Sequence, residues 1–175
     1  MKLALIKIGV VFSFAAMLCI LMSCESTGSV EAKDIVTSFS GKATVKQGDN
    51  VIECDICRSN NQAAKIVVTK PEQISGFEFK WLGEENGITY GELQTKTSTQ
   101  FLPDNSFAQA IINVLNASSY PENLKPKENI ERKNEFTGIC ESGDFKIDVN
   151  NQGIIEKIYI EKLELEVSFS EVAKI

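Results

Sequence analysis

An α+β domain built on an antiparallel sheet is the fold class this sequence predicts, and three observations predict it. Most of residues 39–169 alternate apolar and polar with period two, the signature of strands buried on one face. One stretch, Phe107 to Ser118, switches to helical spacing. The links between the strand runs are mostly short and carry Gly, Asn, Asp or Pro, which suits a meander of neighbouring strands better than parallel crossovers.

In chain order, 25–33 (ESTGSVEAK) reads as a polar tether and Val30 to Ser38 as the place for a short helix. Phe39, Gly41, Ala43 and Val45 then alternate with Ser40, Lys42, Thr44 and Lys46, the first strand. Gly48-Asp49-Asn50 turns the chain, and Ile52, Cys54 and Ile56 alternate with Glu53, Asp55 and Cys57 on the return. A turn at Ser59-Asn60-Asn61 leads to a third strand, Ala64 to Thr69, which Pro71 ends. Phe77, Phe79 and Trp81 face one way and Glu78 and Lys80 the other, and Asn86-Gly87 predicts a hairpin before a strand from Ile88 to Thr97. Pro103-Asp104-Asn105-Ser106 offers N-caps for the helix, whose apolar residues Phe107, Ala110, Ile111, Val114 and Leu115 form one stripe. That stripe must lie on the sheet. After a connection over 120–128, strands are predicted near Ile130 to Cys140, Phe145 to Val149, Ile154 to Ile160 and Leu163 to Phe169. Apolar parity changes from even at Ile160 to odd at Leu163, so a bulge or tight turn is expected at Glu161-Lys162. The pattern sums to eight or nine antiparallel strands with at least one amphipathic helix.

In this order of elements the chain resembles the outer-membrane lipoprotein carrier superfamily, the LolA/LolB-like proteins, and within it the GerS-type spore-germination lipoproteins of Firmicutes. The stretches that carry the resemblance are FSGKATV, KPEQISGFEFKW, LPDNSFAQAIINVL and GIIEKIYIEKLELEVSFS, spread over nearly the whole chain after the tether. The resemblance implies a curved, unclosed half-barrel of about eight to eleven strands with helices packed on its concave face. It also implies a single domain over 34–175 and, as in the carriers, apolar space that takes acyl chains.

The N-terminus points to the same compartment. Lys2 and Lys7 precede an uncharged run, Ile8 to Met22, which is too short for a membrane span of roughly 20 residues and suits the core of a signal peptide over 1–23. Leu21-Met22-Ser23-Cys24 resembles the bacterial lipobox, in which the cysteine is acylated and becomes the mature N-terminus. Cys24 is therefore the expected lipid attachment site. Each buried acyl CH₂ contributes about 0.8 kcal/mol, so two or three chains would hold the protein on the extracytoplasmic face of the membrane. Removal of the signal takes two lysines and no acid from 18 basic and 24 acidic residues, leaving a net charge of −8. Such a surface disfavours nucleic acid as a partner.

Chemistry is sparse by comparison. The chain has no histidine, so the commonest general base and zinc ligand are both missing. Glu84-Glu85 falls in a hairpin and Glu164/Glu166 on a solvent face, and no phosphate loop, serine elbow or calcium loop is present. No enzyme activity, metal or cofactor is expected. Cys54 and Cys57 form a CxxC spacing, but in a strand residues three apart face opposite sides. Cys54 is read as a small core residue or as one half of a disulfide to Cys140, with Cys57 left for intermolecular or regulatory chemistry.

Phe77, Phe79 and Trp81 together with Phe107, Ile111 and Leu115 either line a cavity for an acyl chain or apolar peptide or simply bury one another as core. Two functions follow. The first is a non-enzymatic interaction or scaffold lipoprotein that docks an envelope protein, by resemblance in sporulation or germination. The second is a carrier or acceptor of acyl chains or lipoproteins in the half-barrel. Open strand edges would also permit a homodimer.

Overall fold

The structure is a computed structural model and describes residues 30–60, 63–83, 85–97, 102–127 and 134–175. The signal peptide, Cys24, the tether up to residue 29, Glu84 and the stretch 128–133 lie outside these residues.

Eleven strands form one curved antiparallel sheet: β1 (Phe39–Gln47), β2 (Asn50–Asn60), β3 (Ala63–Lys70), β4 (Glu78–Leu82), β5 (Glu85–Tyr90), β6 (Leu93–Thr97), β7 (Lys125–Pro126), β8 (Glu135–Cys140), β9 (Gly143–Val149), β10 (Ile155–Ile160) and β11 (Leu165–Lys174). Their order is β6-β5-β4-β3-β2-β1-β11-β10-β9-β8-β7, so the first and last long strands pair at the centre and the sheet does not close. Alternation sets the register. Phe136, Ile147, Ile158, Val167 and Val45 stand opposite one another across five strands, and each is at most 2% exposed. They make the concave face a continuous apolar wall, while Lys70–Glu53 and Lys42–Glu171 pair on the outer face, where such pairs add little.

One α-helix, α1 (Phe107–Ala117), fills the concavity; among the described residues it is the single α-helix where the sequence implied several. Ser106 is its N-cap, accepting the Gln109 N–H through Oγ at 3.4 Å. Every residue from Ala108 to Leu115 is buried, because the sheet wraps around the helix rather than lying under it.

Three expectations need correction. No α-helix forms over Val30 to Ser38: a single 3₁₀ turn, Ala32–Asp34, is followed by extended chain, which Val36 joins to the sheet by a bridge to Ile154. Asn86-Gly87 is not the hairpin turn. Both residues sit inside β5, opposite Trp81 and Lys80, and Gly83 at φ +64 begins the turn instead. A second turn at Gly91, φ +58, splits the expected strand from Ile88 to Thr97 into β5 and β6. The parity change is present as expected: a 3₁₀ turn at Glu161–Leu163 and Glu164 at φ +48 bring Leu165 and Val167 back to the concave side.

Candidate functional site: the concave face around α1

The floor of the site comes from β3, β4 and β5. Phe79 lies between Ile66 and Ile88, and Trp81 lies between Ala64 and Asn86, where the small alanine leaves room for the indole. Phe79 meets Phe107 of α1 edge to face at 5.8 Å and 88°. The Trp81 indole N–H donates to Gln109 Oε1 at 3.4 Å. Phe77 stacks on Phe79 at 6.4 Å and on Tyr90 at 4.3 Å and 13°. Beyond this stack Tyr90 is 40% and Leu93 75% exposed. An aromatic shelf therefore continues past the flank of α1 toward solvent.

The six residues singled out in the sequence divide between two environments. Ile111 and Leu115 are fully buried and belong to the core. Phe79, Trp81 and Phe107 are half-buried at the seam between α1 and the sheet, and Phe77 stands on the open shelf. Tyr90 and Leu93 were missed, although Tyr90 shares the parity of Ile88.

Polar side chains fasten α1 at both ends. Gln109 Nε2 donates to Asn113 Oδ1 at 2.8 Å, and Asn113 Nδ2 donates to Ser142 Oγ at 3.0 Å and to Asp104 Oδ1 at 3.3 Å. Ser142 Oγ donates to the Asp104 carbonyl at 2.7 Å, tying the β8–β9 turn to the segment before the helix. At the other end Arg58, fully buried on β2, donates to the Thr37 carbonyl, to Asn116 Oδ1 at 3.1 Å and to Ser119 Oγ at 3.0 Å. Burial lowers its guanidinium to about 10, and Tyr120 opposes that shift. Arg58 has the same parity as Cys54 and Ile56, so alternation alone placed a charge inside.

The structure does not pair Cys54 with Cys140. Both are free thiols, and five strand intervals separate β2 from β8 in the sheet. Cys54 is 1% exposed in the core, and burial pushes its thiol up to about 12. A recess of about 1060 Å³ lies away from the shelf, over β8 to β11, with Lys125, Lys146, Asp144, Glu161 and Glu166 in its lining. Its lining also holds Ile139, Phe145, Tyr159, Ile160 and Leu165, so apolar and charged side chains share it.

No protein-family profile and no curated protein matches the sequence. Solved structures do match the fold. A LolA superfamily protein from Nitrosomonas europaea superposes with a TM-score of 0.54 at 12% identity, covering 82% of this chain and 90% of its own. A conserved protein from Thermus thermophilus gives 0.48 at 9%, covering 79% of this chain and 80% of its own. A domain from Vibrio parahaemolyticus, provisionally named as an outer membrane lipoprotein-sorting protein domain, gives 0.36 at 8%, covering 82% and 88%. The first match defines the class: this chain has the LolA-like fold, a curved open sheet around a helix. The likeness is one of fold.

Proposed function

We propose that this protein is a lipid-anchored, non-enzymatic binding module on the extracytoplasmic face of a bacterial membrane, and that it holds an acyl chain of a lipid or lipoprotein along the shelf beside α1. The observation that carries this reading is the aromatic surface of Phe77, Phe79, Trp81 and Tyr90, which runs from the core seam into solvent. A contiguous apolar surface beside a packed helix is a form that ligand-binding surfaces take. The interior is occupied by Ile111, Val114 and Leu115, so the chain would lie against the flank of α1 unless the helix moves. The lipobox-like Cys24 supplies the anchor, and a permanently anchored domain receives or holds a chain rather than shuttling it.

Trp81 is the sole tryptophan, which makes the test direct. Titration of the detergent-free mature domain with brominated fatty acid should quench its emission, and native mass spectrometry of mildly extracted protein should show bound lipid. Unquenched emission together with ligand-free masses would remove the reading. A second reading, docking of an envelope protein, is favoured by β6, an exposed strand at the edge of the sheet. Its mark would be a specific crosslink from residues 93–97 to that protein. The germination role rests only on the sequence resemblance.

A further inference from the structure

We infer that the rim of the sheet from which the tether emerges lies against the lipid surface, and that the open end of the shelf at Tyr90 and Leu93 faces away from it. The anchoring at Cys24 belongs to the function proposed above, but the geometry can be tested without it.

The first described residue is pinned. Val30 N–H donates to Asn134 Oδ1 at 3.2 Å, and Val36 N–H donates to the Gly153 carbonyl at 2.7 Å, where Val36 and Ile154 form a parallel bridge. The same rim holds the C-terminus, since Ile175 N–H donates to the Ser38 carbonyl at 3.3 Å and Ser38 Oγ to the Ser59 carbonyl at 3.0 Å. It also holds the end of α1, because the turn Ala32–Asp34 touches the turn Pro121–Asn123. Tyr120 at 49%, Ile175 at 64% and Leu82 at 54% exposure stand out from this rim, and Leu93 at 75% and Ile139 at 73% from the opposite one, so chain length rather than apolar exposure distinguishes the two.

Chain length limits the orientation. Six peptide units join Cys24 to Val30, and at full extension they reach about 20 Å. β2, with 11 residues, spans about 34 Å from this rim to the opposite one. With Cys24 held in the membrane, the far rim, with its Tyr90–Leu93 and Cys140–Gly143 turns, cannot rest on the bilayer while the near rim is raised above it. The near rim can reach it, and Tyr120, Ile175 and Leu82 provide apolar contact there. A chain entering at the Leu93 end would then arrive from the aqueous side.

The experiment uses the mature chain with six histidines in place of residues 24–29, bound to phosphatidylcholine vesicles that contain a nickel-chelating lipid and a headgroup-spin-labelled lipid. In a Trp81→Phe background, Tyr120→Trp and Ile175→Trp should lose most of their emission to the spin label, while Leu93→Trp and Ile139→Trp keep theirs. Two positions at each rim guard against one misfolded variant. Equal quenching at both rims, stronger quenching at the far rim, or none at either overturns the inference. Release of the Cys24→Ala protein from cell membranes reports separately on the acyl anchor.

Discussion

Trp81 on β4 and Gln109 on α1 are joined by a hydrogen bond of 3.4 Å between the indole N–H and the amide oxygen, and this bond sits where the core ends and the shelf begins. Gln109→Ala would remove this bond and also the 2.8 Å link to Asn113. The expected cost is about 1–3 kcal/mol, read as a lower urea midpoint with a red shift of the Trp81 emission. Unchanged emission would mean that the helix is not held to β4 in solution.

Arg58 fastens the other end of α1, with acceptors on two segments: Thr37 before β1, and Asn116 and Ser119 at the end of the helix. Arg58→Ala should destabilise by about 2–5 kcal/mol, because it opens a cavity and leaves buried acceptors unmatched. Arg58→Lys should rescue little, since one ammonium cannot span the fork of a guanidinium. Thermal unfolding of the two variants checks both statements. Full rescue by lysine would show that charge, not geometry, is what the site requires.

Much of this fold is legible because half-buried strands carry their facing in every second residue. β1, β3 and β11 follow directly from Phe39/Ala43/Val45, Ala64/Ile66/Val68 and Leu165/Val167. α1 follows from one stripe and one cap. What failed was local turn chemistry: Asn86-Gly87 carries a strong hairpin signal, yet pairing with Trp81 and Lys80 overrides it. The site was harder to read, because it depends on which strands the helix covers. Periodicity gives Phe77 and Ile111 the same apolar status, while sheet curvature leaves the first on the open shelf and buries the second.

The cysteines should differ sharply in reactivity. Cys57 faces outward beside Lys65, whereas Cys54 is buried and raised to about 12 and Cys140 is raised, first by burial. Brief iodoacetamide treatment should modify Cys57 first and Cys54 last. A folded-state value above the unfolded thiol's roughly 8.5 means that Cys54 contributes stability below about pH 8.5 that is lost as pH rises. The stability advantage of the native protein over Cys54→Ala should therefore shrink as pH rises above about 8.5, measured by urea unfolding at each pH. A constant gap would contradict the buried, neutral thiol.

Gly153 holds the N-terminal segment on the sheet. Its φ is +79, and a Cβ there would lie 2.2 Å from the Asp34 carbonyl oxygen. Gly153→Ala should then push residues 34–36 off the β9–β10 turn at a cost above about 1 kcal/mol. Hydrogen exchange at the Val36 amide should accelerate far more than exchange at Val167. Uniform acceleration at both would instead indicate global loosening.

Core and ligand surface can be separated by comparing Leu115→Ala with Tyr90→Ala. Leu115 is fully buried, so its truncation removes transfer energy and leaves a cavity, about 2–5 kcal/mol in all. Tyr90 is 40% exposed and loses chiefly its stack on Phe77, worth about 0.5–1.5 kcal/mol. If the shelf holds the acyl chain, Tyr90→Ala should weaken quenching of Trp81 by brominated fatty acid while the fold stays nearly intact. Leu115→Ala should do the reverse, lowering stability with little change in affinity, because no ligand contact is made there while α1 remains seated. Weakened binding by Leu115→Ala alone would move the chain from the flank of α1 into the space beneath it.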